Sequence, residues 1–295
     1  MNKDRPASQE AFLETKEYRR FVEFCDACRQ HRYIGLCYGV PGVGKTLSAW
    51  QYTRWHLLQP YFPERFYVEY RLTVIERVIA NTIATKHVSL PPEIRRCRSL
   101  LYTPAVTNSP KRVEQELRAL RLALSYLVEA VQSGPPQVSS EELAPHRALP
   151  DPTDLIIIDE ADRLKTATWE QVRDIYDHGN VGMVFIGMPG LEKRLSRYPQ
   201  LYSRVGFVHE FRALNAEESR VFLEQHWRHW GLVPQPESPT EAEAIAAIIR
   251  ITHGNFRLLH RLLAQIERIA NINALRVVSK EVVELARQQL VIGSS

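Results

Sequence analysis

Residues 39–46 read Gly39-Val-Pro-Gly-Val-Gly-Lys45-Thr46. This stretch matches the pattern G-x-x-x-x-G-K-[ST] at every fixed position, and it lies between an apolar, strand-like run at 33–38 and a helical pattern that begins near Lys45. Glycines at these places let backbone N–H groups wrap around phosphate oxygens, and the helix N-terminus adds its positive end. The stretch therefore predicts a phosphate-binding loop (P-loop) between the first strand and the next helix of an α/β fold.

The side chains at the end of this loop indicate its ligand. Lys45 can reach the β- and γ-phosphates of ATP, and Thr46 can ligate Mg²⁺. The residues expected to bind the nucleotide are those of the whole loop: Gly39, Val40, Pro41, Gly42, Val43, Gly44, Lys45 and Thr46.

A second motif places two acids directly after a buried strand. The apolar run Leu155-Ile-Ile-Ile158 is typical of a parallel strand, and Asp159 and Glu160 follow it. Ligands of open α/β sheets bind at the carboxyl ends of the strands. We therefore expect Asp159 to hold Mg²⁺ together with Thr46, and Glu160 to polarise the attacking water as a general base. An acid after this Asp also argues against a small-GTPase design, which positions its water with a Gln.

Strand-like runs alternate with helical patterns up to about residue 213, and only helical patterns follow. This order predicts a doubly wound parallel sheet followed by a small all-helical lid domain. We assign residues 1–30 to an N-terminal helical segment, 31–213 to the nucleotide-binding α/β domain and 214–295 to the lid. The stretch 66–98 reads as an insertion, and the Pro- and Ser-rich stretch 133–152 reads as a flexible loop. The expected strands are 33–38, 99–103, 155–158, 181–186 and 207–211, and the expected helices are 8–30, 45–58, 73–84, 110–131, 166–178, 190–197, 216–230, 239–252, 255–271 and 279–290.

Composition is that of an ordinary soluble protein, with 44% hydrophobic and 24% charged residues. No stretch approaches the roughly 20 apolar residues of a membrane span, and the polar N-terminus does not resemble a secretory signal. Cys25 and Cys28 form a C-x-x-C, which invites a zinc or redox interpretation, but no second pair follows. We expect free thiols in a reducing cytoplasm.

Positive charge is concentrated in one segment. Residues 71–121 contain ten Lys/Arg against four Glu, a net charge of +6 in a chain whose total is +4. Such an excess indicates a phosphate-binding face, with a set of solvated helix surfaces as the alternative. The candidate DNA contacts are Arg95, Arg96, Arg98, Lys111 and Arg112.

Taken together, GVPGVGKT, LIIIDEADRL, VFIGMPG and HGNFRLLHRLL resemble an AAA+ ATPase of the initiator-related group. The span DEADRLKTATWEQVRDI is similar to the corresponding region of TnsC/TniB-type regulators of DNA transposition, relatives of MuB. The resemblance covers roughly residues 30–290.

The resemblance implies roles for residues outside the two motifs. Arg257, in Gly254-Asn-Phe-Arg257, would reach the γ-phosphate from the lid as the sensor 2 arginine. Arg204 is similar to the arginine finger offered to a neighbouring subunit, with Arg194 and Arg197 as rivals on the same stretch. The family usually has Asn or Thr at sensor 1, whereas this chain has Met188, which cannot donate a hydrogen bond to water. Hydrolysis is therefore expected to be slow, or another residue substitutes.

The function implied is that of a cytoplasmic, nucleoid-associated ATPase that oligomerises on double-stranded DNA as a ring or filament. It would bind a transposase and a target-selection protein, with ATP and Mg²⁺ between subunits and no membrane. Two alternatives stay open: another AAA+ role, such as an ExeA-like secretion ATPase or a helicase loader, and a nucleotide-binding signalling module with little hydrolysis.

Overall fold

A computed structural model describes residues 12–62, 81–82, 90–133, 149–230, 238–275 and 277–290. The chain divides into two compact units. The α/β unit contains residues 21–39 and 45–210, and the helical unit contains residues 1–20, 40–44 and 211–295.

The α/β unit is built on a five-stranded sheet in which every neighbouring pair is parallel. Its strands are β1 (Ile34–Tyr38), β2 (Ser99–Tyr102), β3 (Leu155–Ile158), β4 (Gly182–Gly187) and β5 (Val205–Glu210). The order across the sheet is β2-β3-β4-β1-β5. Strand β1 therefore lies between β4 and β5, at the point where the order reverses, which is where open α/β sheets bind ligands.

Burial explains why these runs form strands. Every residue of β2, β3 and β4 is buried, as apolar runs covered on both faces require. Strand β5, at one edge of the sheet, alternates between half-buried and exposed residues, as a strand covered on one face only does. It begins at Val205, two residues before the predicted start. The sequence did not indicate this beginning because β5 has no continuous apolar run.

Eleven α-helices are described: α1 (Lys16–His31), α2 (Lys45–Tyr52), α3 (Trp55–Leu58), α4 (Pro110–Ser133), α5 (Thr166–Gly179), α6 (Leu191–Leu195), α7 (Pro199–Tyr202), α8 (Ala216–His229), α9 (Pro239–Thr252), α10 (Phe256–Ile272) and α11 (Lys280–Gln288). The last four correspond closely to the predicted lid helices. A shared apolar core packs them, with Leu259, Leu262 and Leu263 fully buried.

Two helix boundaries differ from the predictions for identifiable reasons. Helix α1 begins at Lys16 because the hydroxyl of Thr15 accepts a hydrogen bond from the backbone N–H of Tyr18 (3.0 Å), so the predicted start near residue 8 was wrong over 12–15. The helix predicted over 45–58 is interrupted at Arg54, whose left-handed backbone (φ 53°) separates α2 from α3.

Two other predicted elements also end differently. The helix expected over 190–197 stops at Leu195, and a second short helix begins at Pro199. Helix α4 runs through Ser133, one residue into the predicted loop. The rest of that loop up to residue 148, and the predicted insertion over 66–80 and 83–89, lie outside the described residues.

All four cysteines are described and buried, and none of them forms a disulfide. Burial raises the pKa of Cys28 to about 12, so its thiol stays protonated at neutral pH. In the part of the chain that the structure describes, no helix is both long enough and apolar enough to cross a membrane.

Candidate functional site

The P-loop adopts the backbone that its glycines predict. Gly42 and Gly44 have φ values of 83° and 110°, a region that side chains other than glycine rarely occupy. Helix α2 begins at Lys45, directly after the loop, so the positive end of its dipole faces the place where phosphate oxygens would bind. The Nζ of Lys45 donates to the carbonyl of Gly39 at 2.6 Å, which holds the ammonium at the end of β1.

Within the helical unit, the start of α10 is bonded to the backbone of the P-loop. The side chain of Asn255 donates to the carbonyl of Pro41 (2.8 Å), and the backbone N–H of Arg257 donates to the carbonyl of Gly42 (2.9 Å). A Cβ added at Gly42 would lie 2.8 Å from the Cβ of Arg257. The exposed guanidinium of Arg257 has no side-chain partner among the described residues, so it is available for a phosphate beside the loop.

Gly254 fixes the turn that presents this arginine. Its φ is 70°, and an added Cβ would lie only 1.9 Å from the carbonyl oxygen of Leu214. Asn255 then caps α10 by accepting a hydrogen bond from the backbone N–H of Leu258 at 3.2 Å. The Gly-Asn pair of the sequence motif therefore sets where α10 begins and where Arg257 lies.

The two predicted Mg²⁺ ligands meet in the α/β unit. The hydroxyl of Thr46 donates to a carboxylate oxygen of Asp159 at 2.7 Å. Asp159 is 4% exposed, and its burial raises the pKa of the carboxyl, while the Thr46 hydroxyl and the backbone N–H of Glu160 act in the opposite direction. A hydroxyl and a buried carboxylate in contact are a donor set that suits Mg²⁺. The residues present therefore fit a magnesium nucleotide.

Glu160 has a strained backbone and an engaged side chain. It is left-handed (φ 51°, ψ 42°), a conformation that non-glycine residues hold mainly where the surroundings impose it. Its half-exposed carboxylate is ion-paired with Arg163. Arg163 in turn donates to the carbonyl of Pro104, in the loop after β2, at 3.1 Å. The predicted general base is thus held by a neighbouring guanidinium.

A buried asparagine braces the turn that carries this pair. The amide nitrogen of Asn108 donates to the carbonyls of Ala105 (2.9 Å) and Arg163 (3.0 Å), and its oxygen accepts from the Thr168 hydroxyl (3.1 Å). One side chain therefore connects the loop after β2, the turn after β3 and the first turn of α5.

One residue that contacts the end of β4, Asp162, was missed as a site residue. Asp162 accepts a hydrogen bond from the backbone N–H of Met188 at 2.8 Å, and an added Cβ at Gly187 would lie 2.5 Å from the same carboxylate. Asp162 thus brings a polar group to the sensor 1 position, where Met188 itself offers only a thioether. The sequence signal was the third acid in Asp-Glu-Ala-Asp, two residues after Glu160.

The three arginines proposed as fingers differ in their contacts. Arg194 donates to the carbonyls of Asp162 (2.5 Å) and Leu164 (2.6 Å), so it braces the turn after β3. Arg204 forms a bidentate pair with Asp177 of α5, at 2.5 and 2.8 Å. Arg197 is exposed and has no side-chain partner among the described residues.

The predicted DNA contacts fall into two groups. Arg95 and Arg96 are exposed in a short 3₁₀-helix, Pro92–Arg96, and Arg98 follows it. Lys111 is exposed at the start of α4, but the adjacent Arg112 donates to Glu116 at 2.8 Å. Glu116 is buried and also accepts from the hydroxyl of Tyr102 (2.6 Å), so Arg112 belongs to a structural network.

A parallel sheet with the P-loop strand at its switch point, and an acid pair at the end of β3, defines a P-loop nucleotide-binding protein. Comparison with protein families places the chain more narrowly. It belongs to the AAA-domain family, whose model matches residues 28–195. Proteins of this family are in general P-loop ATPases.

Individual relatives agree with this assignment. The chain is 44% identical over 285 residues to a protein of Staphylococcus aureus described as a potential ATP-binding protein, covering 96% of this chain and 97% of the relative. Among solved structures, the RuvB Holliday junction branch migration motor of Thermotoga maritima matches with a TM-score of 0.52 at 14% identity, over 96% of this chain and 72% of RuvB. The ORC2 protein of Aeropyrum pernix matches with a TM-score of 0.52 at 14% identity, over 95% and 70%. These two likenesses confirm the fold.

Proposed function

We propose that this protein is an ATP-dependent switch that assembles on double-stranded DNA and regulates transposition by recruiting or activating a transposase. Residues 31–213 would form the nucleotide-binding domain and 214–295 the lid. The observation that carries the nucleotide part is the contact between Thr46 and Asp159 beside the P-loop lysine. The transposition part rests on the similarity between the sequence around Glu160 and the corresponding region of TnsC/TniB-type regulators.

In this proposal the nucleotide is held by the P-loop, Lys45 and Arg257. Thr46 and Asp159 bind Mg²⁺, which neutralises phosphate charge. Glu160 orients and deprotonates the attacking water once it leaves Arg163. An arginine of the 194–204 stretch, Arg204 in the first instance, would act on the site of the next subunit.

The nucleotide part is tested by binding and turnover. ATP with Mg²⁺ should bind at micromolar concentrations, about 8 kcal/mol. Lys45→Ala should remove most of that affinity, because the γ-phosphate loses its cation. Arg261→Ala, at an exposed arginine on α10, is the matched control and should bind normally. Normal ATP affinity in Lys45→Ala would contradict the site.

The DNA part is supported by the basic residues of 95–98 and by the described roles of the fold relatives, since RuvB is a branch migration motor. ATP should stimulate binding to duplexes of unrelated sequence with similar affinity, and binding should weaken steeply between about 50 and 200 mM salt. The transposase part makes two predictions: a transposase gene should lie beside this gene, and strand transfer by its product should require this protein and ATP. A parent protein that binds no duplex in the presence of ATP would overturn the DNA role and leave another AAA+ role, such as secretion or helicase loading.

A second candidate is a nucleotide-binding signalling module that rarely hydrolyses ATP. Two observations favour it: the ion pair between Glu160 and Arg163, and the exposed thioether of Met188 in place of a polar sensor 1. Single-turnover hydrolysis measured with and without duplex separates the two. Stimulation by DNA supports the first proposal, and an equally slow rate in both conditions supports the second.

A further inference from the structure

A small concave pocket, here called the arginine pocket, lies in the α/β unit. It is at the end of the sheet where the strands begin, opposite to Gly39 and Asp159. Its cavity is about 130 Å³, and three chain segments form it: α1, the junction between α2 and α3, and the residues that lead into β2. Since the strands are parallel, the start of β2 lies at the amino end of the sheet, away from the P-loop. This pocket is therefore separate from the nucleotide site.

Arginine is the commonest residue type in its lining. Arg29, Arg54, Arg96 and Arg98 line the cavity against a single carboxylate, Asp26. Four arginines around one small cavity make a strongly positive concave surface, because a guanidinium remains charged at any physiological pH. Such a surface matches the size and charge of one phosphate group.

The internal contacts of the pocket leave much of this charge unmatched. Asp26 accepts from both Arg29 (3.0 Å) and the hydroxyl of Tyr52 (2.9 Å) on the same oxygen. Arg98 uses one nitrogen to donate to the carbonyls of Arg95 (2.9 Å) and Cys97 (2.8 Å), which positions it without neutralising it. In the part of the chain that the structure describes, neither Arg54 nor Arg96 has a side-chain partner, and both are exposed.

The backbone at Arg54 is consistent with a role for its side chain. Arg54 is left-handed (φ 53°, ψ 39°), a conformation that glycine or asparagine would adopt at lower cost. Packing alone does not need an arginine there, because the side chain is exposed. Arg54 therefore combines a disfavoured backbone conformation with a cation that lines the pocket. The pKa of the nearby His56 is lowered by two causes: burial of its imidazole is the larger, and the positive charge of Arg54 is the second.

We propose that the arginine pocket binds a backbone phosphate of duplex DNA. This inference rests on the proposed DNA-binding function and names its contact: Arg54 and Arg96 hold the phosphate oxygens, and Arg29 and Arg98 complete the positive wall. It also separates the two groups of candidate DNA contacts. Arg96 and Arg98 belong to the pocket, whereas Arg112 is bound to Glu116 and stabilises the start of α4. Recognition of this kind is independent of base sequence, because the phosphate carries no sequence information.

The test is the salt dependence of duplex binding by the full chain with ATP and Mg²⁺. Arg54→Gln/Arg96→Gln should weaken binding and reduce the slope of log K against log[salt] by about 1, the loss of one phosphate contact. Arg220→Gln/Arg261→Gln removes two exposed arginines that also have no side-chain partner among the described residues, from the helical unit, and it should leave the slope unchanged. Equal slopes in the pocket variant and the parent would overturn the proposal while the DNA-binding function stands.

A second measurement keeps the site testable without DNA. In Lys45→Ala protein, where the nucleotide site is weakened, tripolyphosphate should raise the Tm, and adding Arg54→Gln/Arg96→Gln should remove that rise. If the parent binds no duplex but this loss occurs, the anion pocket stands and both the DNA assignment and the proposed function fall. If the rise in Tm survives the double substitution, the pocket binds no phosphate and the inference is overturned.

Discussion

The carboxylate of Glu160 is ion-paired with the guanidinium of Arg163, three residues further along the chain. Arg163 also reaches the carbonyl of Pro104, so the pair joins the turn after β3 to the loop after β2. A general base must accept a proton from water, and a carboxylate that is bound to a guanidinium is less available for this. The ion pair therefore describes a resting arrangement of the candidate site.

The first prediction follows from this pair. Arg163→Ala should raise the ATPase rate measured without DNA, because Glu160 is released, while Glu160→Gln should bind ATP and lose roughly 10²–10⁴-fold in turnover. Arg163→Lys preserves the charge and should remain close to the parent. The measurement is phosphate release under saturating ATP. Equal rates in Glu160→Gln and the parent would remove Glu160 from the mechanism.

The second prediction concerns the buried carboxyl of Asp159. Burial raises its pKa, so the folded chain binds this proton more readily than the unfolded chain does. The free energy of unfolding should therefore decrease as pH rises from the ordinary pKa of an aspartate through the raised value, and the cost persists at neutral pH. Asp159→Asn removes that cost and should raise the Tm of nucleotide-free protein at pH 7.5, with a smaller gain in acid.

If Asp159 binds Mg²⁺ as proposed, the same substitution should abolish the part of the ATP-induced rise in Tm that requires Mg²⁺. Asp174→Asn, at an exposed carboxyl on α5, is the control and should change stability by less than about 0.5 kcal/mol. A nucleotide-free Tm that falls in Asp159→Asn at neutral pH would mean that the carboxylate stabilises the fold, contrary to the burial argument.

The third prediction separates steric conflict from backbone strain at Gly254. Gly254→Ala places a Cβ 1.9 Å from the carbonyl oxygen of Leu214 in addition to the cost of a positive φ. Gly190 also has a positive φ (98°), but an added Cβ there meets no atom within 4 Å. Gly190→Ala should therefore cost about 1–2 kcal/mol, and Gly254→Ala should cost clearly more and weaken ATP binding through Asn255 and Arg257. Similar losses in denaturant unfolding would show that the turn relaxes around the clash.

The sequence predicted those parts of the site that depend on local chemistry. The positive φ values of Gly42 and Gly44 follow from the glycine pattern. A run of four apolar residues is enough to predict β3, and it therefore places the two acids that follow at the carboxyl end of that strand. The doubly wound parallel sheet could also be predicted, because buried strands alternate with helices along the chain. The structure and the family match confirm it.

Contacts between segments distant in sequence could not be predicted. The bond between Asp162 and the backbone of Met188 joins residues 26 positions apart, and nothing in either stretch indicates the other. The interruption at Arg54 was also missed, because a left-handed arginine leaves no mark in a helical apolar pattern. The sequence named Arg204 as the candidate finger with Arg194 and Arg197 as rivals, and for the same reason it could not show how their contacts within the chain differ.

The last prediction concerns those three arginines and the action of one subunit on the next. Arg204 can reach a neighbouring site only by leaving Asp177, which holds it through two hydrogen bonds at 2.5 and 2.8 Å. If it works in trans, Arg204→Ala should bind ATP normally and hydrolyse poorly, and an excess of Glu160→Gln subunits should restore part of the activity at mixed interfaces. Asp177→Asn should then raise the rate, because it removes the charged partner of the guanidinium and leaves only its contact with the carbonyl of Gln200.

Arg197→Ala is the competing variant, since Arg197 is exposed and has no side-chain partner among the described residues. Arg194→Ala should instead lower the free energy of unfolding, because the carbonyls of Asp162 and Leu164 lose their shared donor, a change of about 1–3 kcal/mol. Phosphate release measured across mixing ratios decides between the first two. Normal hydrolysis by Arg204→Ala, together with a loss in Arg197→Ala that Glu160→Gln subunits rescue, would transfer the role to Arg197. In that case the pair between Arg204 and Asp177 would only stabilise the connection between α5 and β5.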